Sequence, residues 1–277
     1  MNDKWSVLKQ TFFSHDTFNT GIKVTSIRHT VPGPGLQVTR QSSWQRICHA
    51  SQYPEFANHD FRDCFSILSP YLNASAILIA RNAILTVNHF RKSNLHRSNF
   101  WQVSNTINIS NKDRYTCQPT PFPLKILNED LEVLILEKCI DDISLIDFAS
   151  TQEIEQAKSG LIVGYGDDQH GVSGVKRELK VNIELSSVNN NSFLFNCNSK
   201  RHLIIKAPAI FQAGPNRIET DGINPRDSGS PLYINAGGKV KLAGIATRSL
   251  NNGQAGLFIR VDTYKNEIDK ILARFKA

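Results

Sequence analysis

A histidine, an aspartate and a serine stand at the edges of apolar runs in this chain, and together they have the make-up of a nucleophilic acyl-transfer site. Ala83-Ile84-Leu85-Thr86-Val87-Asn88-His89 closes an apolar run on a histidine, and Glu129-Asp130-Leu131-Glu132-Val133-Leu134-Ile135-Leu136 opens one on an aspartate. Ser228 sits in Asn224-Pro225-Arg226-Asp227-Ser228-Gly229-Ser230-Pro231-Leu232, among small residues and just before another apolar run. A serine hydroxyl is a weak nucleophile until a base accepts its proton and a third group orients that base. Taken singly, His89 reads as a strand-end histidine, Asp130 as a strand cap and Ser228 as a turn serine. Taken together, in the chain order His, Asp, Ser, they point to a catalytic set. The histidines His49, His59, His96, His170 and His202 lack such a setting and read as surface or packing residues.

Those positions depend on strands. Short β-branched or aromatic runs separated by turn residues begin near Cys64: 64–68, 76–79, 83–87, 100–103, 106–109 and 131–136. The style repeats at 160–166, 179–185, 202–205, 241–246 and 256–261, and the 179–185 run alternates with the period of a half-buried strand. Only the end reads as helical, with Tyr264, Ile268, Ile271, Leu272 and Phe275 at three- and four-residue spacings. Many short strands without alternating helices predict a sandwich or barrel, not a parallel sheet. Residues 1–45 differ: they are polar and carry Pro32-Gly33-Pro34-Gly35, which reads as an N-terminal extension that adds a strand and then crosses over through a Pro/Gly turn.

Composition narrows the function classes. With 40% hydrophobic and 21% charged residues the 277-residue chain is ordinary globular protein. No apolar run nears the roughly 20 residues that span a bilayer, and the first residues lack a signal peptide's apolar segment. A net charge of +7 spread without a dense basic run gives nucleic acid little to grip. The five cysteines, Cys48, Cys64, Cys117, Cys139 and Cys197, include no C-x-x-C pair, so neither a zinc site nor a dithiol motif is indicated, and no metal or organic cofactor is expected. An odd count disfavours a fully bridged secreted scaffold, while a Cys48–Cys64 bridge stays open.

From about residue 46 to the end the motifs resemble the trypsin/chymotrypsin-like serine peptidases. That family's Leu-Thr-Ala-Ala-His-Cys is similar to Leu85 through Phe90, its Asp-Ile-Ala-Leu-Leu strand to 130–134, and its Gly-Trp-Gly to Gly164-Tyr165-Gly166. Its Gly-Asp-Ser-Gly-Gly-Pro-Leu elbow is similar to 226–232, its Gly-Ile-Val-Ser-Trp-Gly wall to 244–249 and its Gly-Val-Tyr-Thr-Arg-Val strand to 256–261. The resemblance implies an all-β fold of two antiparallel six-stranded barrels with a C-terminal helix. It divides the chain into an N-terminal extension or pro-segment (1–45), a barrel with His89 and Asp130 (46–150), and a barrel with Ser228 (151–277). It implies endoproteolysis of protein or peptide substrates through an acyl-enzyme, without a cofactor, by His89, Asp130 and Ser228.

The departures from the family are as telling. Cysteines of its usual bridges would stand at Ala74, Phe90 and Asn224, and their paired loss suits a reducing compartment. The expected location is the cytoplasm, or a cytosol reached without a signal peptide. The oxyanion hole would use the backbone N–H groups of Arg226 and Ser228, with arginine where the family has glycine. Activation by cleavage at Arg46 would free Ile47 to pair with Asp227, but the glycines that follow in the family are missing. An activating protease or partner is therefore a possible requirement. The specificity pocket would rest on Asp221 or Gly222, and the substrate-binding wall on Thr247, Arg248, Ser249 and Gly256. The rival reading is a catalytically silent homologue that binds a protein partner; a basic nucleic-acid-binding module is weaker still.

Overall fold

The computed structural model describes residues 45–46, 49–68, 73–89, 101–106, 115–118, 124–126, 129–166, 173–184, 200–206, 210–214, 217–220, 226–250 and 255–275. A short strand β1 (Gln45–Arg46) precedes two sheets. The first is built from β2 (Cys64–Leu68), β3 (Asn73–Ala80), β4 (Ala83–Thr86), β5 (Trp101–Ser104), β6 (Tyr115–Gln118), β7 (Leu124–Lys125) and β8 (Glu132–Leu136). Its order is β4-β3-β2-β5-β6-β8, closed by β4 pairing with β8, and β7 adds on to β8. The second is built from β9 (Ser159–Gly164), β10 (Arg177–Glu184), β11 (His202–Lys206), β14 (Pro231–Ala236), β15 (Lys239–Leu250) and β16 (Ala255–Arg260), and a separate hairpin joins β12 (Ile210–Gly214) to β13 (Arg217–Thr220). Its order is β10-β11-β16-β15-β14-β9, closed by β9 pairing with β10, while β1 lies on β10. Every pairing between these strands is antiparallel. This is the chymotrypsin-like architecture that the resemblance implies.

Burial explains why these runs read as they do. All four residues of β4 and all six of β16 are buried, so neither strand alternates. One core fills the first barrel and continues across the junction through Leu161, Val163, Tyr165, Tyr233 and Ile245 to Ile268 and Ile271. A second core, with Leu179, Val181, Leu203, Leu232 and Phe258, belongs to the second barrel. The C-terminal helix α2 (Lys265–Arg274) follows a 3-10 turn at Asp262–Tyr264 and buries Ile268 and Ile271, as their spacing predicts. The sequence reading of helix at the end alone needs correction. A helix α1 (Thr151–Gln156) stands between the barrels' strands, with Ser150 and Glu153 forming a reciprocal capping box. Six residues are too few to show a helical period, but the Ser-x-x-Glu spacing was a legible signal. The expected strand at 106–109 falls largely outside the described residues.

Polar groups also cross the junction. Tyr165 Oη donates to the Thr106 carbonyl at 2.8 Å, Tyr233 Oη to Asp63 Oδ1 at 2.9 Å, and the buried Cys64 thiol to the Val163 carbonyl at 3.4 Å. Cys64 is a free thiol, which removes the Cys48–Cys64 bridge, and burial pushes its pKa up to about 12. Asp63 also meets His59 Nε2 at 3.0 Å, so His59 is a partnered histidine at the junction.

Lys176 is fully buried there, donating from Nζ to the Phe61 carbonyl at 2.8 Å with Nζ 5.5 Å from the centre of the Tyr165 ring. Burial lowers its pKa to about 8 despite the opposing pull of Asp63 and Asp60. Between that value and the ordinary lysine value near 10.5 the unfolded chain binds the extra proton, so stability rises with pH across this window. The penalty for burying the charge is full below about pH 8. Lys176→Met is therefore expected to raise stability by on the order of 2–3 kcal/mol at pH 7, less whatever the orphaned Phe61 carbonyl costs. Denaturant melts at pH 7 and pH 10 should show the gain shrinking at the higher pH; a loss of stability at pH 7 would contradict it.

Candidate active site

Strand register brings the histidine to the aspartate. Leu85 pairs with Val133 and Thr86 with Glu132, and carrying that register two residues further sets Asn88 opposite Asp130. The Asn88 N–H donates to the Asp130 carbonyl at 3.3 Å, and the next amide, of His89, donates to Asp130 Oδ1 at 2.7 Å. His89 Nδ1 is hydrogen-bonded to Asp130 Oδ2. The Asp130 side chain is 20% exposed and that of His89 44%, so the ring opens outward while the acid stays sheltered.

A second bond to the acid comes from the other barrel. The β15–β16 register slips between Ala246 and Arg248, and a bulge of this kind re-aims a side chain. Thr247 Oγ1 donates to Asp130 Oδ2 at 2.6 Å. Burial by itself would raise the Asp130 carboxyl, but the hydrogen bonds and charge of His89 and the Thr247 hydroxyl outweigh it, and the pKa falls below the usual aspartate value. An ionised carboxylate only accepts, so Nδ1 carries a proton, and in the neutral ring Nε2 is the nitrogen left with a lone pair. That nitrogen lies 3.0 Å from Ser228 Oγ.

The serine is set by its turn. The Ser230 N–H donates to the Asp227 carbonyl at 2.9 Å, and the Gly229 N–H to the Ala246 carbonyl at 2.8 Å, beside Thr247. Barrel one holds the same turn, because the Ser75 N–H donates to the Ser228 carbonyl at 2.8 Å. The fastening is mutual. Glu129, the residue before Asp130, is met by two side chains of barrel two, Arg201 Nη1 at 2.6 Å and His202 Nε2 at 3.4 Å. His202 is thus a buried member of this junction, and only the fold could reveal its partner.

Arg226 adopts φ 72°, the left-handed region that glycine enters freely and that costs an L-residue roughly 1–2 kcal/mol. Its guanidinium does not simply face solvent: Nη1 donates to Ser173 Oγ at 3.1 Å. The Ser228 N–H finds no acceptor among the described residues. Asp227 is buried, and its Oδ1 accepts from the Gly166 N–H at 3.0 Å. The Arg46 backbone pairs with Arg177, while Ile47, Asp221 and Gly222 lie outside the described residues. Arg248 and Ser249 are exposed on β15, and Gly256 is buried on β16 opposite Ser249.

An imidazole bonded on one side to a carboxylate and on the other to a serine hydroxyl, set where two β-barrels meet, is the arrangement that serine-nucleophile hydrolases use. The family model described as Trypsin matches residues 54–268, and the chain belongs to the trypsin family. The comparison with curated proteins finds no match for the chain. Among the described residues no group of His, Cys, Asp and Glu side chains is arranged to hold a metal ion, and no helix is long and apolar enough to cross a membrane.

Proposed function

We propose that this chain is a serine endopeptidase that cleaves protein substrates through an acyl-enzyme on Ser228. The observation that carries the reading is the continuous path from Thr247 and Asp130 through His89 to Ser228 Oγ, with Nε2 and Oγ 3.0 Å apart. Ser228 Oγ attacks the scissile carbonyl while Nε2 takes its proton. Asp130 stabilises the imidazolium that forms. Collapse of the tetrahedral intermediate expels the amine, which leaves with the proton from Nε2, and water then repeats the sequence on the ester. The amides of Arg226 and Ser228 face the oxyanion in this reading, and the left-handed backbone of Arg226 supports it.

Arg248 and Ser249, exposed on β15, offer an edge on which a substrate lies as an added strand, with Asp221 or Gly222 at the pocket base. The same reading keeps the division at 45/46 and 150/151 and assigns the chain to a reducing compartment. Support for that location comes from the free thiols of Cys64 and Cys139 and from Ala74 standing where the family places a cysteine.

The test is intact-mass analysis after exposure to a fluorophosphonate. One adduct on the wild type and none on Ser228→Ala is the expected result. Equal labelling of both proteins, or none of either, would remove Ser228 as an activated nucleophile. In the second case the silent, partner-binding homologue becomes the better description, and the arginine that stands at position 226 in place of the family's glycine is the feature that favours it.

A further inference from the structure

Arg226 combines a strained backbone with a tethered side chain. At φ 72° its Cβ crowds the neighbouring carbonyl, which drives an L-residue back toward negative φ. Its Nη1 meanwhile donates to Ser173 Oγ at 3.1 Å. Ser173 is itself held, because the N–H of the next residue, Gly174, donates to the Tyr165 carbonyl at 2.8 Å. One residue past Tyr165, the Gly166 N–H donates to Asp227 Oδ1 at 3.0 Å. The Arg226-Asp227 dipeptide is therefore gripped twice from the segments flanking the β9–β10 connection, once through each side chain.

We propose that the Arg226 side chain is a positioning strut: by bonding Ser173 it holds its own backbone left-handed, which keeps the amides of Arg226 and Ser228 turned toward the oxyanion. The inference rests on the serine-peptidase reading. Rotation of φ back to negative values would swing the Cα–Cβ bond, and so carry the guanidinium away from Ser173. The hydrogen bond and the backbone conformation thus share one coordinate, and a charge-assisted bond opposes the steric drive. Glycine at this position would need no such help, since it enters the left-handed region without a Cβ clash. An arginine in place of glycine is then a self-supporting substitution and not a lesion.

The test uses the full chain and the second-order rate of Ser228 phosphonylation by a fluorophosphonate, which needs no knowledge of the natural substrate. The phosphoryl oxygen of that reagent occupies the oxyanion position, so its rate reports on the hole. Ser173→Ala is compared with its parent in two backgrounds, Arg226 and Arg226→Gly. In the Arg226 background the rate should fall about tenfold, the scale of a lost charge-assisted hydrogen bond. In the glycine background Ser173→Ala should change nothing.

Arg226→Ala, which keeps the Cβ and removes the strut, should lose at least as much as Ser173→Ala, and Arg226→Lys should recover part of it. Thermal melts of each protein separate lost folding from lost positioning. An equal loss in both backgrounds, or no loss in the first, overturns the strut. Labelling of Arg226→Gly but not of the wild type overturns the strut as well, and shows a competent His89–Asp130–Ser228 set that the native arginine keeps silent. Absence of labelling in every background overturns the peptidase reading itself.

Discussion

Asp130→Asn should leave a folded protein whose Ser228 reacts with substrate about 10⁴-fold more slowly, the loss this substitution brings in Ser-His-Asp sites generally. The geometry gives the reason. Oδ1 accepts from the His89 amide at 2.7 Å, so an asparagine would place its carbonyl oxygen there. Its NH₂ would then occupy the position of Oδ2, facing His89 Nδ1 and Thr247 Oγ1. A donor at that point forces Nδ1 to accept, which moves the ring proton to Nε2. The nitrogen 3.0 Å from Ser228 Oγ could no longer take a proton. Circular dichroism should be unchanged, while phosphonylation and any peptidase activity fall together. Near-normal activity in Asp130→Asn would mean that His89 is oriented by something else.

Gly229→Ala is expected to be at least as damaging, through shape and not charge. Gly229 has φ +86°, and a Cβ there would lie 1.9 Å from the Ser75 carbonyl oxygen and 2.6 Å from Thr86 Oγ1. The Ser75 oxygen is backbone, held in turn by the Thr86 hydroxyl at 2.8 Å, so it has little room to yield. The turn would have to leave barrel one, breaking the bond from the Ser75 N–H to the Ser228 carbonyl. We expect a loss of about 3 kcal/mol or more, with phosphonylation abolished. Gly238→Ala is the control: its φ is +83° but nothing lies within 4 Å of the added Cβ. It should cost only about 1 kcal/mol and leave labelling intact. Similar melting temperatures for the two variants would show that the contact with Ser75 does not constrain the turn.

The two barrels and the His89–Asp130–Ser228 set were legible because each rests on local pattern. Runs such as 83–87 and 131–136 announce buried strands, and the residues at their edges inherit defined positions. What escaped depends on partners far away in the chain or on irregular backbone. The sequence assigns Thr247 to the substrate wall but gives no sign of its bond to Asp130, because the bulge that turns its hydroxyl there leaves no periodic trace. His202 and Arg201 gave no sign of meeting Glu129, because nothing local records a contact 72 residues distant between Glu129 and Arg201. Arg226 was recognisable as a departure from glycine, but its left-handed backbone and its bond to Ser173 exist only in the folded turn.

The mutual fastening across the barrel junction gives the molecule a built-in order of events. His89 and Asp130 come from the half synthesised first, and Ser228 from the half synthesised last. Each is pinned by the opposite half: Thr247, Arg201 and His202 hold the Glu129-Asp130 end, and Ser75 holds Ser228. A chain still emerging from the ribosome, or one with a single barrel folded, therefore lacks the His89–Asp130–Ser228 arrangement. Under the proposed function, activity would arrive only when the two barrels dock. For the proposed peptidase, topology alone would then tie the appearance of activity to the completion of the fold.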